Sequence, residues 1–246
     1  MKILVIGDSC LDEFIYGECN RICPEAPVPV FNPIGSPSIS KGMAFNVYLN
    51  LKSLAPNWDI DIVTNPLDIT KTRYVDSKTN QMLLRVDKND TCQNISVDKL
   101  KNLGEYNAVI ISDYNKGFLT EDNIEYLLLK YPISFIDSKK LFEDWVEPAS
   151  FIKINESEYN KNNHNLDELD LDGQLIVTLG DKGVKWDNKI YPPAYKAEAL
   201  DLSGAGDTFL ASFAFAYLDG KSISQSINYA QGNSLKVIEK KGVAVI

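Results

Sequence analysis

Short apolar runs that each end in an acidic or amide residue recur along this chain. They are KILVI before Gly7-Asp8, AVIIS before Asp113, ISFI before Asp137 and FIKI before Asn155. Such runs, without polar alternation, are typical of strands buried on both faces of a parallel sheet. Ligands in these folds bind outside the carboxyl ends of the strands, so the polar residues predict the edge that carries the site.

Helical patterns alternate with these strands. We predict further strands at 60–64 and 174–180, and helices at 42–54, 120–130, about 205–218 and about 222–239. Alternation of this kind favours an α/β fold, with helices on both faces of a mostly parallel sheet. The 246 residues, 44% of them hydrophobic, suffice for a substantial core, and neither a repeat nor a linker divides them. We therefore predict one domain, 1–246.

Charge and cysteine content exclude several functions. The net charge is −9 and no Lys/Arg-rich run stands out, which argues against a nucleic-acid partner. No segment approaches the ~18 apolar residues of a membrane span. The four cysteines lack a second ligand pair for zinc and are expected to be free thiols of a cytoplasmic protein. Nothing near the single histidine, His164, supports a catalytic triad.

The stretch DLSGAGDTF, residues 201–209, carries the strongest chemical signal. Its glycines allow close backbone approach to a ligand, and the free amides and dipole of the following helix form an anion site. Asp207 beside that site has two interpretations. It is a base for a substrate hydroxyl, or it caps the helix.

This stretch resembles the C-terminal signature of the PfkB (ribokinase-like) carbohydrate kinases. The N-terminal GDSCLDEFIYGECNRICPEAPVPVF resembles the kinases that phosphorylate D-glycero-D-manno-heptose 7-phosphate at O1, as do residues 70–87, 108–120 and 135–140. The resemblance implies a ribokinase-like three-layer sandwich with a small β lid from strands within about 11–34. It also implies that Asp207 is the base and that Gly204, Ala205 and Gly206 form the anion hole.

The resemblance also implies a sugar site. Asp12 binds sugar hydroxyls, with a solvated loop acid as the alternative, and Asn46 in KGMAFNV contacts the sugar beside Gly42. Lys41 stands where the family usually has a glycine and is a candidate for the substrate phosphate. Lys139 is another such candidate, with an ordinary surface lysine as the alternative.

On the nucleotide side, Asn155 and Glu158 match the family's N-x-x-E, which organises Mg²⁺ through water. A helix capping box explains the same two residues, and both interpretations hold together. The resemblance further implies a nucleotide-binding turn, formed by Thr178, Gly180, Lys182 and Gly183. It places Gln231 beside the adenine and makes Asp201 a ligand of K⁺ or another monovalent cation.

The chain departs from the family between Leu54 and Thr72, where too few residues remain for the usual further helix and strand. We therefore predict a reduced kinase. The hairpin of 13–17 and 27–31 is expected to form the lid and a homodimer surface, with folding onto its own domain as the alternative. Candidates for that surface are Phe14, Ile15, Val28, Val30 and Phe31. A separate nucleotidyltransferase is expected for the following step.

The predicted function is ATP- and Mg²⁺-dependent phosphorylation of O1 of D-glycero-D-manno-heptose 7-phosphate. One alternative keeps the fold and changes the acceptor to another sugar or a nucleoside, against which PEAPVP argues. Another is a non-catalytic binder of sugar phosphates, which the shortened region and Lys41 favour and the retained GAGD opposes. A Rossmann dehydrogenase fits poorly, because Gly7-Asp8 is not followed by G-x-G-x-x-G.

Overall fold

The computed structural model describes all 246 residues. Its strands are β1 (Lys2–Gly7), β2 (Ser9–Ile22), β3 (Pro29–Pro33), β4 (Ser38–Met43), β5 (Asp59–Thr64), β6 (Thr70–Asp76), β7 (Met82–Lys88), β8 (Ala108–Asp113), β9 (Ser134–Ser138), β10 (Phe151–Asn155), β11 (Leu175–Thr178), β12 (Val184–Trp186) and β13 (Lys189–Tyr191). Its helices are α1 (Ala44–Leu54), α2 (Val97–Lys101), α3 (Glu121–Lys130), α4 (Glu156–Lys161), α5 (Asn163–Leu166), α6 (Ala205–Leu218) and α7 (Ile223–Ile238). None of these helices combines the length and apolar character needed to cross a membrane.

The larger sheet has eight strands in the order β13-β12-β11-β10-β9-β8-β1-β5. All neighbours from β5 to β11 pair in parallel, and β12 and β13 add an antiparallel edge. Alternate residues of β1 enter opposite cores: Ile3 and Val5 pack with α1 and α6, whereas Leu4 and Ile6 pack with α3. Burial on both faces explains the unbroken apolar runs and confirms the predicted three-layer α/β fold.

A second sheet, which we call the lid sheet, has the order β3-β2-β6-β7, with β4 also paired to β2. The predicted pair of 13–17 and 27–31 lies in it as β2 with β3, and β6 pairs with β7. The boundaries were wrong at β2, which has 14 residues and begins at Ser9 because the unpredicted β4 pairs with its first half. Of the candidates for a dimer surface, Phe14 is buried within the chain, whereas Val28 is 51% exposed.

Several other boundaries differ from the prediction. Gly42 belongs to β4, and α1 begins two residues later at Ala44. The polar segment 160–173 contains the short helix α5, and α2, β12 and β13 were not predicted. These elements are short, so they show too few periods for a sequence pattern. Between α1 and β6 the chain forms β5 alone, which confirms the predicted reduction.

Candidate active site

The polar residues that end the parallel strands gather at one edge of the larger sheet, as predicted. Asp113 and Asn155 are the last residues of β8 and β10, and Asp137 in β9 pairs with Ser112 of β8. Asp8 follows β1 directly. These four polar residues keep a fixed spacing along the edge, because each is attached to a buried strand.

The GAGD turn begins α6 at this edge. Gly204 is the N-cap residue with φ 82°, and an added Cβ would lie 2.7 Å from Asn46 Nδ2, so glycine is required there. The first helical bond runs from the Thr208 amide to the Gly204 carbonyl, 2.9 Å. The amides of Gly206 and Asp207 therefore remain free for an anion, while that of Ala205 donates to Leu202 O at 3.3 Å.

Asp207 is 4% exposed and accepts two side-chain hydrogen bonds. Asn46 Nδ2 donates to Oδ2 at 3.1 Å, and the Tyr114 hydroxyl donates to Oδ1 at 2.9 Å. Burial raises the pKa of Asp207 from 3.8 to about 6. The hydrogen bonds from Asn46 and Tyr114 oppose that rise. The negative charge of Asp137 adds to it, and the positive charge of Lys153 opposes it. A carboxyl with this pKa is ionised near neutral pH and is more basic than an exposed aspartate.

Tyr114 is a site residue that the sequence reasoning missed. It follows β8 in a loop that Asp8 holds in place: the carboxylate of Asp8 accepts hydrogen bonds from the amides of Tyr114 (2.7 Å), Lys116 (3.2 Å) and Phe118 (3.2 Å). Burial, with the negative charge of Asp207 next, keeps the pKa of Tyr114 well above 10, so its hydroxyl stays a donor. The signal for this loop in the sequence was Asp8 after β1, together with the polar turn after the neighbouring strand β8.

A series of ion pairs extends from the anion site. Lys153 and Lys139 contact the two oxygens of Asp137 at 2.5 and 2.7 Å, and Lys139 also contacts Glu158 at 2.5 Å. Burial alone would raise the pKa of Asp137, but the two ammonium groups outweigh it and lower the pKa to about 2. Lys153, also missed from the sequence, lies at the anion site: a Cβ added to Gly206 would be 3.0 Å from its Nζ.

Asn155 and Glu158 form the capping box of α4. The Asn155 side chain accepts from the Glu158 amide at 2.9 Å, and Glu158 Oε2 accepts from the Asn155 amide at 2.8 Å. Because Lys139 contacts the other oxygen of Glu158, both carboxylate oxygens are engaged. The chain has no group of three or more acids, cysteines or histidines that could hold a metal. This arrangement does not fit a directly bound Mg²⁺, so no step is assigned to the ion.

The predicted sugar residues lie in three different environments. Asp12, 4% exposed, forms a 2.5 Å ion pair with Arg73, and Gly42 packs on it so closely that a Cβ would lie 1.9 Å from Asp12 Oδ2. Asn46 instead directs its amide at Asp207, which makes it a positioning residue for the carboxylate. Lys41 is exposed, with its ammonium 3.9 Å from the centre of the Phe45 ring.

The predicted nucleotide turn lies beyond β11. Thr178 donates to Ile154 O at 3.2 Å, and Lys182 pairs with Glu156 at 2.9 Å on the surface. Gly180, φ 62°, faces open space, whereas Gly183, φ 101°, has Tyr191 O within 2.1 Å of a would-be Cβ. Gly183 is thus required for packing against β13. Gln231 is a buried residue of α7.

Asp201 connects the loop before α6 to the C-terminal segment. Its Oδ1 accepts from the Ser203 amide at 2.8 Å and its Oδ2 accepts from the Gly242 amide at 3.2 Å. Both oxygens are therefore engaged in holding the loop, a role that the sequence did not indicate.

A cavity of about 490 Å³ opens between the lid sheet and this loop. Its lining includes Arg73 and Arg85 from the lid sheet, Asp201 and Ser203 from the loop, and Lys241 from the C-terminal segment. Its volume is within the usual ~300–1,000 Å³ of small-molecule sites.

The chain is similar to known carbohydrate kinases. The model of the pfkB family carbohydrate kinases matches residues 131–245, which include the GAGD turn and Asp207. The chain is also 30% identical to the "bifunctional protein HldE" of a Nitratiruptor species over 295 residues, covering 99% of this chain and 62% of that protein. The family model thus covers just under half of the chain, its C-terminal part. The HldE of Helicobacter acinonychis is likewise 30% identical, with 99% of this chain and 64% of that protein covered.

The chain thus spans less than two thirds of the length of these two relatives. Among solved structures, ribokinase from Thermotoga maritima superposes with a TM-score of 0.75 at 17% identity, covering 98% of this chain and 94% of that one. Ribokinase from Arabidopsis thaliana, complexed with ribose and ATP, gives 0.68 at 14%, covering 98% and 93%. These likenesses confirm the ribokinase-like fold.

Proposed function

We propose that this chain is a PfkB-family carbohydrate kinase that transfers the γ-phosphoryl group of ATP to O1 of D-glycero-D-manno-heptose 7-phosphate. The observation that carries the proposal is the buried carboxylate of Asp207, with a pKa of about 6, beside the two free amides that begin α6. The heptose acceptor rests on the resemblance of residues 7–31, including PEAPVP, to heptose-phosphate kinases.

Asp207 acts as the general base. Its carboxylate accepts the proton of the O1 hydroxyl as that oxygen attacks the phosphoryl group. Asn46 and Tyr114 donate to opposite oxygens of the carboxylate, which fixes its orientation and restrains its basicity. Because Asp207 is attached to the first turn of a buried helix, its position relative to the anion site is constant.

The transferred phosphoryl group carries negative charge that the chain stabilises electrostatically. The amides of Gly206 and Asp207 and the positive end of α6 face it, and Lys153 adds a full charge beside Gly206. Phosphoryl transfer depends chiefly on such positioning and charge stabilisation. Mg²⁺, when bound, would neutralise the charge of the nucleotide phosphates, and Glu158 would contact it through water.

On the acceptor side, Asp12 holds sugar hydroxyls while Arg73 fixes its carboxylate. The lid sheet is also a candidate homodimer surface, since Ile22, Val28 and Ile39 are each more than half exposed. The activation step that follows phosphorylation belongs to a separate nucleotidyltransferase in this proposal.

An acceptor panel tests the proposed function. ADP formation from ATP and Mg²⁺ is measured with D-glycero-D-manno-heptose 7-phosphate, ribose and a nucleoside, and the product is weighed by mass spectrometry. We expect the highest kcat/KM with the heptose phosphate and a bisphosphate product. Faster turnover of ribose or the nucleoside would assign another acceptor. Sugar-phosphate binding without turnover would make the chain a non-catalytic binder.

A further inference from the structure

Lys71 of the lid sheet carries a buried ammonium group without a carboxylate partner. It is 7% exposed, and the strand register places it between Asp12 of β2 and Asp87 of β7. Arginines already engage both acids: Arg73 contacts Asp12 at 2.5 Å, and Arg85 holds Asp87 through two hydrogen bonds of 2.7 Å. No carboxylate therefore lies within 4.0 Å of the Lys71 ammonium. A buried charge without a partner is costly, which indicates that this amine has a role other than packing.

The amine of Lys71 lies beside the centre of the candidate active site. Its Nζ is 5.1 Å from the centre of the Tyr114 ring, and the hydroxyl of that tyrosine donates to Asp207. Lys139 lies at a similar distance, 5.2 Å, from the same ring, but two carboxylates hold its ammonium. The enclosed polar side-chain atoms that lack a partner do not include Lys71 Nζ, so the amine is open to a small molecule. Of the two lysines beside Tyr114, Lys71 is thus the one that is free to react.

The surroundings of Lys71 favour the neutral form of its amine. Burial lowers the pKa of Lys71 below 10.5, negative charge on Cys10 and Asp12 opposes that effect, and the positive charges of two neighbours add to it. Those neighbours are Arg85 and Lys116. At neutral pH only Asp12 opposes, because burial raises the pKa of Cys10 to about 12 and keeps it a thiol. The neutral amine is the nucleophilic form of lysine, and desolvation is one of the ways in which proteins activate it.

We propose that Lys71 is a covalent modification site for aldehydes, which it holds as an imine inside the acceptor site. The neutral amine attacks the carbonyl carbon and a C–N bond forms. The carbonyl oxygen then leaves as water with the two protons of the amine, and a C=N bond remains, so the step needs no oxidant or reductant. A reducing sugar offers such an aldehyde in its open-chain form. An aldehyde held by Lys71 occupies the space beside Tyr114, so it excludes the acceptor and inhibits phosphoryl transfer.

Chemical trapping on the wild-type protein tests this site. The protein is incubated with pyridoxal 5′-phosphate, reduced with sodium borohydride and digested, and the modified lysines are identified by mass spectrometry. We expect Lys71 to be modified about tenfold faster than an exposed lysine such as Lys240, because burial activates its amine. Lys139, whose ammonium two carboxylates hold, should stay unmodified. Glyceraldehyde, an aldehyde without a phosphate, should select the same lysine. Equal rates at Lys71 and Lys240, or no modification of Lys71, refute the inference.

Two variants complete the test. Lys71→Arg keeps the positive charge but forms no imine, so it should lose the fast modification. Lys240→Arg is the matched control and should be modified like wild type, since Lys240 Nζ donates to Val245 O at 3.0 Å, away from the site. Fast modification that persists in Lys71→Arg overturns the inference.

The labelling needs no turnover, so its failure is distinguishable from a failure of the proposed function. Heptose 7-phosphate that binds as proposed should slow the modification of Lys71 and leave that of Lys240 unchanged. Labelling of Lys71 without such protection supports the inference and contradicts the proposed acceptor alone.

Discussion

Substituting Tyr114 with phenylalanine tests whether its hydroxyl tunes the proposed base. The change removes the 2.9 Å hydrogen bond to Asp207 Oδ1 and leaves the ring in place. A hydrogen bond to a charged group contributes about 1.5–3 kcal/mol, and one pKa unit corresponds to about 1.36 kcal/mol. Removal should therefore raise the pKa of Asp207 by about 1–2 units.

The sign of the effect follows from the ionised form being the active one. With a pKa of about 6, Asp207 of the wild type is mostly ionised at pH 7. In Tyr114→Phe the acidic limb of the kcat/KM profile should move upward, to about pH 7–8. Activity then falls steeply at pH 6.5 and recovers near pH 9. The groups that face Asp207 and affect this limb are Asn46, Tyr114, Asp137 and Lys153.

The assay is ADP formation from pH 5.5 to 9.5 at subsaturating sugar phosphate. Tyr131→Phe is the control: Tyr131 is also buried, but its hydroxyl donates to Gly104 O at 3.0 Å, away from the site. The acidic limb of the Tyr131→Phe profile should coincide with that of the wild type. A Tyr114→Phe profile that drops equally at every pH, with its limb unmoved, would refute the tuning role.

Three further substitutions have definite expected outcomes. Gly204→Ala places a Cβ 2.7 Å from Asn46 Nδ2 at φ 82°, so it should lower kcat and the free energy of unfolding, the latter by about 1–3 kcal/mol in urea denaturation. Asp12→Asn weakens the Arg73 ion pair and should raise KM for the sugar phosphate about tenfold or more while KM for ATP stays constant in steady-state kinetics. Asp207 has a folded-state pKa above its unfolded value, so its charge destabilises the fold as the pH rises from about 4 to 6. Asp207→Asn should therefore gain up to about 3 kcal/mol at pH 8 in the same denaturation assay.

The sequence predicted those parts of the fold whose pattern repeats over several residues. Continuous apolar runs identified the parallel strands, and the polar residue after each run identified the edge that carries the site. The 14-residue β2 was predicted as a short strand because its first half pairs with β4, and that pairing of distant segments leaves no local periodicity.

The candidate site was predicted where a local motif carried it and missed where distant elements meet. GAGD located Asp207 and the turn, because glycine, helix start and acid are adjacent in sequence. Tyr114 and Lys153 reach the same point from the loop after β8 and from β10. The acid after β1 and the polar turn after β8 indicated the neighbourhood of Tyr114 but not the residue itself, and no local motif indicated Lys153. Asn46 was identified, but its partner, Asp207, became evident only from the packing of α1 against α6.

The direct test of the central proposal is single-turnover ADP formation by Asp207→Asn beside wild type, with ATP, Mg²⁺ and D-glycero-D-manno-heptose 7-phosphate. ATP affinity and thermal unfolding are measured on the same preparations to show that the variant folds and binds nucleotide. If Asp207 is the base, the rate constant falls by about 10²–10⁴-fold while ATP affinity is retained. Equal rate constants in the two proteins would contradict the account and remove Asp207 from the chemistry.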